Sequence, residues 1–204
     1  MVKHSWIAAS VLCLLLFFLL AYEVSSARTF VLDAYLDFAV DEHALSFSFF
    51  KCITYLGKSM VIGVGSILIV LYLWIVKKDY LLMALFSIGM GGADLLNKKI
   101  KNQIQRERPD NQFVEAPGFS FPSGHAMVGL IFFSILAYLI IKEIKRNALK
   151  WVVGIGFFVL ILLIGLSRIA MNVHFPTDVI AGYGLGVAFT LVLFKLNKLL
   201  GRFI

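Results

Sequence analysis

Six stretches of this 204-residue chain are each apolar enough to cross a lipid bilayer. A spanning helix needs about 20 mostly apolar residues, and unpaired backbone groups are too costly in lipid for irregular structure. The sequence therefore predicts an all-α, polytopic membrane bundle of six transmembrane helices, forming one domain over residues 1–204. The six segments are Trp6–Tyr22, Met60–Val76, Tyr80–Leu96, Ala126–Ile141, Leu149–Leu166 and Val179–Phe194.

The composition agrees with this interpretation and argues against a soluble, nucleic-acid-binding protein. Hydrophobic residues make up 60% of the chain and charged residues only 15%, an apolar excess too large for one water-soluble core of this size. The net charge of +7 would suit nucleic acid, but many basic residues flank the apolar stretches. We therefore expect the phospholipid bilayer as the partner, and predict no nucleic-acid or protein partner.

The distribution of lysine and arginine predicts the orientation of the chain in a cell membrane. Cytoplasmic ends of spans carry an excess of these residues, and placing both termini in the cytoplasm satisfies this rule. Only Asp79 and Glu143 then oppose the basic residues of the inner side. Those basic residues are Lys3, Lys77, Lys78, Lys142, Lys145, Arg146, Lys150, Lys195, Lys198 and Arg202.

Two features of the N-terminal part leave alternatives open. The basic start and the Ser25-Ser26-Ala27 tripeptide resemble a secretory signal peptide, although we favour an uncleaved first span. In Arg28–Gly57, acidic residues recur every four positions, which predicts an amphipathic helix at the outer interface; a covering loop is the alternative. Those acids are Asp33, Asp37 and Asp41. Cys13 and Cys52 are expected at different depths, so no disulfide is predicted, and no Cys/His cluster resembles a metal site.

A basic cluster follows the third apolar stretch. Lys101 and Arg108 are seven residues apart, about two helical turns, which predicts that they share one face of a helix. Arginine binds two oxygens through its planar guanidinium group and lysine adds a point charge, so the pair suits a dianionic group. A solvated basic loop is the alternative.

A second cluster, Phe121-Pro122-Ser123-Gly124-His125, directly precedes the fourth stretch. Ser123 is a natural N-cap, and Gly124 allows another group to approach the backbone closely. Helix N-termini bind anions through unpaired N–H groups, and here the N-terminus also carries His125. An ordinary capped helix start is the alternative.

A third cluster joins the last two stretches. Arg168 ends the fifth, and Pro176 suits the first turn of the sixth helix. His174 and Asp178 are four residues apart, so the carboxylate reaches the imidazole if helical geometry extends back that far; such a pair fixes the histidine tautomer. A structural ion pair is the alternative. With the N-terminus inside, all three clusters fall on the outer face, which favours one shared site.

Together the clusters resemble the three-part signature of the type 2 phosphatidic acid phosphatase family, which also occurs in vanadium-dependent haloperoxidases and glucose-6-phosphatase. The resemblance covers residues 101–178 and implies the six-helix core of bacterial type B phosphatidylglycerophosphate phosphatases. It makes His174 the nucleophile, Asp178 its orienting partner and His125 the general acid. The implied phosphate-binding residues are Lys101, Arg108, Ser123, Gly124 and Arg168.

The function expected from these residues is metal-independent hydrolysis of a lipid phosphate through a phosphohistidine, with no cofactor, at the outer face. Phosphatidylglycerophosphate is the favoured substrate, with undecaprenyl pyrophosphate and phosphatidic acid as alternatives. Transport or channel activity and haloperoxidase activity are the other candidate functions. Asp94, within the third stretch, is expected to pair with Lys98, and Glu115 is expected to be a solvated loop residue.

Overall fold

The computed structural model describes residues 5–26, 33 and 45–201, and all the regular structure of these residues is helical. The last turns of the third helix are π-helical, over Tyr72–Lys77. Seven helices are described: α1 (Ser5–Ser25), α2 (Leu45–Leu56), α3 (Ser59–Leu71), α4 (Tyr80–Ile104), α5 (Gly124–Glu143), α6 (Asn147–Ala170) and α7 (Pro176–Leu200).

The prediction of six transmembrane helices is confirmed, because every described helix except α2 is long and apolar enough to cross a membrane when α3 is taken together with its π-helical continuation to Lys77. The chain is therefore an all-helical, multi-pass membrane protein. Each helix extends beyond its predicted apolar stretch, since polar residues continue the helix past the lipid-compatible part. The expected pairing of Asp94 with Lys98 forms within α4, at 2.6 Å, and both side chains are exposed.

Helices α5 and α7 form the centre of the bundle, and their backbones approach closely. A Cβ atom at Gly182 would lie 2.6 Å from the Ser123 carbonyl oxygen, and one at Gly186 would lie 2.9 Å from that of Met127. Small residues four apart allow such contact between membrane helices, where dispersion forces drive association. This contact brings the N-termini of α5 and α7 side by side.

The two ends of the bundle differ in charge. At one end, Lys77 after α3 pairs with Glu143 of α5 at 2.7 Å, and Lys195 of α7 lies over the ring of Trp6 in α1. The predicted inner lysines and arginines lie at this end, except Lys3 and Arg202, which fall outside the described residues. The three predicted site clusters lie at the opposite end.

The predicted interfacial region is helical where the structure describes it, in α2. Phe47 and Phe50 of α2 pack on Met171 and Val173, in the turn between α6 and α7. Asp33 is also described, whereas Asp37 and Asp41 lie outside the described residues. Cys13 is partly buried in α1 and Cys52 is exposed on α2, and both are free thiols.

Candidate active site

Lys101 reaches the site from the last turn of α4. Its Nζ donates hydrogen bonds to the carbonyl oxygens of Phe119 and Ser120, at 2.6 and 3.0 Å. The helix ends at Ile104, and Gln105 adopts a left-handed backbone conformation. The prediction that Lys101 and Arg108 share a helical face was therefore wrong, because the chain leaves the helix between them.

Arg108 nevertheless lies next to Lys101, because the loop returns to the helix end. Its Nη2 donates to the Phe119 carbonyl at 3.2 Å, the same oxygen that accepts from Lys101. Its Nη1 donates to the Val173 carbonyl at 2.6 Å and lies 3.2 Å from Nε2 of His174. Burial lowers the pKa of the Arg108 guanidinium, and the Asp178 carboxylate opposes part of this change. The guanidinium remains a cation at neutral pH.

The start of α5 is built as predicted. Ser123 is the N-cap, and its Oγ accepts a hydrogen bond from the Ala126 N–H at 3.5 Å. The Ser123 N–H donates to the backbone carbonyl of Asp178 at 3.0 Å, so the start of α5 is tied directly to the start of α7. A Cβ atom at Gly124 would lie 3.2 Å from Oδ1 of Asn97, so this position is tightly packed. Helix starts of this kind present N–H groups and a positive dipole to an anion.

His125 follows in the first turn of α5, and its Nε2 atom is buried without a hydrogen-bond partner in the protein. The ring lies within range of electrostatic interaction with His174 and with the three cations. Buried polar atoms in proteins are normally hydrogen-bonded, so an unpaired one that faces cations indicates a place for a ligand. Those cations are Lys101, Arg108 and Arg168.

Arg168, near the end of α6, is 5% exposed. Its Nη1 donates to Oγ1 of Thr54 at 2.5 Å, whereas its Nε is buried without a partner. An unpaired donor on a buried cation is costly unless an anion completes it. Arg168 and His125 thus both present an unsatisfied nitrogen in the same small region.

His174 lies in the turn before α7 and is held at both ring nitrogens. Nδ1 is 3.4 Å from Oδ2 of Asp178, which also accepts from the Phe175 N–H at 2.9 Å. Because a carboxylate only accepts, Nδ1 carries the proton, and the lone pair of Nε2 faces Arg108. Burial lowers the pKa of His174 to about 3 although Asp178 opposes the change, so the imidazole is neutral at physiological pH.

Four residues near these groups were not predicted as parts of the site. Thr54 of α2 holds Arg168, and Gly57 packs against the ring of His125, where a Cβ atom would come within 2.5 Å of the imidazole. Arg106 and Asp33 form a charged group behind Asp178. Thr54, Gly57 and Asp33 carry no local sequence signal for these contacts, because each lies far along the chain from its partner.

A cavity of about 540 Å³ opens beside Arg108. It is lined by Glu107, Pro109, Asp110, Asn111, Gln112, Ala116, Gly118 and Phe119 as well as Arg108. Glu115 is exposed to solvent and does not line this cavity, in keeping with its expected place in a solvated loop. Within residues 5–26, 33 and 45–201, no three His, Cys, Asp or Glu side chains are grouped so that they could hold a metal ion.

A membrane bundle with two imidazoles and three cations, of which Arg168 is buried and the other two are half-buried, gathered at one end defines a class of integral-membrane protein that handles a phosphate-like anion. Comparison with known proteins identifies the family: residues 79–202 match the PAP2 superfamily model, and the chain belongs to the PAP2 superfamily. The predicted family resemblance is thereby confirmed.

Two relatives show how far the similarity extends. The chain is 37% identical over 155 residues to phosphatidylglycerophosphatase B of Bacillus subtilis, covering 72% of this chain and 70% of that protein. It is 30% identical over 118 residues to a lipid A 1-phosphatase of Rhizobium johnstonii, covering 52% and 43% of the two chains. Both names describe phosphatases of membrane lipids.

Solved structures support the same conclusion. The crystal structure of a transmembrane PAP2 type phosphatidylglycerolphosphate phosphatase from Bacillus subtilis matches with a TM-score of 0.77 at 27% identity, over 96% of this chain and 98% of that chain. Aquifex aeolicus LpxE matches with a TM-score of 0.54 at 22% identity, which shows a shared fold. The chain is a membrane lipid phosphatase, as the sequence predicted.

Proposed function

We propose that this protein hydrolyses phosphatidylglycerophosphate to phosphatidylglycerol and phosphate through a phosphohistidine at His174. The observation that carries the proposal is the arrangement of the His174 ring, with Nδ1 beside Asp178 and Nε2 turned toward the cation of Arg108. A neutral imidazole whose free lone pair faces an anion-binding region is suited to attack phosphorus. The similarity to a phosphatidylglycerophosphatase B supports the choice of lipid.

In the first step, Nε2 of His174 forms a bond to phosphorus while the bond from phosphorus to the lipid oxygen breaks. His125 is the general acid that transfers its proton to the departing lipid oxygen. In the second step, water gives its proton to His125 and its oxygen attacks phosphorus, which breaks the phosphorus–nitrogen bond. Phosphate leaves, and both histidines return to their starting protonation states.

Charge stabilisation comes from three cations, of which Arg168 is buried and the other two are half-buried. Phosphoryl transfer places negative charge on the equatorial oxygens, and fixed positive groups stabilise this charge without reorganisation. Lys101, Arg108 and Arg168 perform this role, and at the start of α5 the Gly124 N–H and the Ser123 hydroxyl add donors. Asp178 orients His174 and stabilises positive charge that develops on the ring during attack.

Charge at the two ends of the bundle supports an orientation for the protein. At the end opposite the site, the described lysine and arginine residues are accompanied by only two acidic residues, Asp79 and Glu143, and such a basic excess is characteristic of the cytoplasmic side. In this orientation both termini are cytoplasmic and the active site is at the outer face of the cell membrane. The substrate is then a lipid phosphate in the outer leaflet, reached from within the phospholipid bilayer.

Substrate choice and metal independence can be measured together. Purified enzyme in detergent is supplied with phosphatidylglycerophosphate, undecaprenyl pyrophosphate or phosphatidic acid, with and without EDTA. The proposal expects the highest kcat/KM with phosphatidylglycerophosphate, no change with EDTA, and inhibition by vanadate. A tenfold preference for undecaprenyl pyrophosphate would replace the proposed substrate, and complete loss of turnover with EDTA would contradict metal-independent chemistry.

A further inference from the structure

An ion-pair network lies behind the His174–Asp178 pair, on the side away from Arg108. Arg106 Nη1 donates to Oδ1 of Asp178 at 2.6 Å, and Arg106 Nη2 donates to Oδ2 of Asp33 at 2.6 Å. The guanidinium thus connects two carboxylates that are far apart in sequence. The side chains of Asp33 and Asp178 are 7% and 0% exposed, and that of Arg106 is 17% exposed.

Neighbouring groups hold this network in one geometry. Both oxygens of Asp33 accept from Thr177, from its N–H at 3.0 Å and from its hydroxyl at 2.8 Å. The same Thr177 hydroxyl accepts from Arg106 Nη1 at 2.7 Å. The Arg106 guanidinium also lies 4.0 Å above the ring of Phe175, a distance typical of a cation–π contact. The start of α7, which carries His174 and Asp178, is therefore fixed from the side of the N-terminal region.

The hydrogen bonds of Asp178 show which partner orients it. Oδ1 is taken by Arg106, while Oδ2 accepts from the Phe175 N–H and faces Nδ1 of His174 at the longer distance of 3.4 Å. Charge-assisted contacts at 2.6 Å are the stronger ones. Arg106 therefore sets the rotamer of the carboxylate, and the carboxylate in turn sets the plane of the imidazole.

We propose that Arg106 is a positioning residue for the phosphatase reaction, acting through Asp178 on His174, and that Asp33 holds Arg106 in place. The inference rests on the proposed function, since it requires His174 to be the group whose orientation matters. It extends the catalytic architecture beyond the matched region, residues 79–202, into the N-terminal part of the chain.

Arg106 also limits how strongly Asp178 attracts a proton to His174. With the cation removed, the Asp178 carboxylate faces the ring uncompensated, and an opposite charge favours the protonated, non-nucleophilic imidazole. We therefore expect the acid limb of the kcat/KM profile to move to higher pH, by about one unit. The charged or titratable groups that face His174 from other elements are Lys101 of α4, His125 of α5, Arg168 of α6 and Arg108 of the loop.

The test compares Arg106→Gln, Arg106→Lys and Asp33→Asn, with Arg146→Gln and Asp94→Asn as matched controls at exposed positions away from the site. Supporting groups of this kind typically contribute about 10–100-fold, so Arg106→Gln should lower kcat by about that factor with little change in KM. Arg106→Lys keeps the charge but cannot bridge two carboxylates; it should lose kcat and keep the wild-type pH profile. Asp33→Asn should have the smallest effect, at the lower end of this range and about tenfold.

Chemical rescue separates positioning from folding. Added guanidinium should restore part of the kcat of an Arg106→Ala variant, and the rate of phosphohistidine formation should recover with it. Wild-type kcat and an unchanged pH profile in Arg106→Gln would overturn the proposal. If Arg106→Gln does not fold, wild-type kcat in Arg106→Lys would overturn it instead. Full activity of His174→Ala would refute the proposed function separately, because that outcome does not involve Arg106.

Discussion

The charged side chains at the two ends of the bundle differ in burial. At the basic end, Lys77 and Glu143 form an ion pair at the surface, with side chains that are 35% and 51% exposed. At the other end, Arg168, His174 and Asp178 are buried, and a nitrogen of Arg168 has no protein partner. Burying charge is expensive, and in the part of the chain that the structure describes the buried charged side chains lie at this end, which indicates a functional site there.

The charged groups at the two ends also serve different purposes, orientation in the membrane at one end and chemistry at the other. Exposed pairs contribute little to stability, so the basic end serves mainly to orient the chain in the membrane. The buried His174 and Asp178 are linked in a continuous series to the half-buried Arg108 on one side and Arg106 on the other. Changes at this end should therefore affect chemistry strongly, and equivalent changes at the basic end should not.

The largest effect is expected from the two histidines. His174→Ala and His125→Ala should both abolish turnover, because one removes the nucleophile and the other the proton donor. Only His125→Ala keeps the nucleophile, so it alone should retain labelled phosphate on the protein after acid-free denaturation. Normal turnover by either variant would show that the histidines at the site end do not carry out the reaction.

Next in size is Arg168→Gln, which removes a cation from the anion site. Loss of one preorganised donor to a developing negative charge costs about 100–1000-fold in kcat. The measurement is kcat with a saturating lipid phosphate, with Arg146→Gln as the matched change at the basic end. Equal activity of the two variants would show that Arg168 does not contact the transferred phosphate.

A smaller effect is expected from Thr54→Val, which keeps the side-chain shape and removes the hydroxyl that holds Arg168. A hydrogen bond to a charged group contributes about 1.5–3 kcal/mol, and misplacing the cation should reduce kcat about tenfold. Thr190→Val is the control, since Thr190 is also buried but bonds only to the Gly186 carbonyl of its own helix. Wild-type kcat for Thr54→Val would show that Thr54 is not part of the site, which would then consist of the three signature clusters alone.

The pH dependence of stability gives a further, more modest test. His174 is neutral and buried with a pKa of about 3, whereas it titrates near 6.5 when unfolded. Between these values the unfolded chain binds more protons, so stability falls as pH decreases from about 6.5 toward 3. From pH 7 to 5 the loss is about 2 kcal/mol, and His174→Gln should remove it. Parallel thermal unfolding profiles of the two proteins over this range would contradict a buried neutral His174.

The smallest effect is expected at the basic end. Lys77→Ala or Glu143→Gln breaks an exposed pair, so kcat/KM and the unfolding midpoint should both equal the wild-type values within error. A large loss of activity in either variant would mean that the two ends are coupled through the bundle.

Much of the fold could be predicted from the sequence because its strongest signal is local. Six apolar stretches separated by charged residues predict six helices, and Pro176 and Ser123 mark helix starts that the structure confirms. The predicted helix ends were less accurate, since a helix such as α4 continues through polar residues to Ile104. The spacing of Lys101 and Arg108 predicts a shared face only if both residues belong to one helix, and that helix ends at Ile104.

The parts that could not be predicted are long-range contacts without a periodic pattern. Thr54 meets Arg168 across 114 positions, and Asp33 meets Arg106 across 73. Asp33 was interpreted as part of the polar face of an interfacial helix because acids recur every four residues there. Spacing along the chain shows which residues share a face, but it cannot show that this face meets a cation from another helix.

The most direct test of the account is a structure of the protein with bound vanadate. Vanadium should be bonded to Nε2 of His174, with His125 on the opposite side and the three cations around the equatorial oxygens. Vanadate bound elsewhere, or His174 and His125 too far apart to flank one vanadium atom, would contradict a phosphohistidine mechanism at this site.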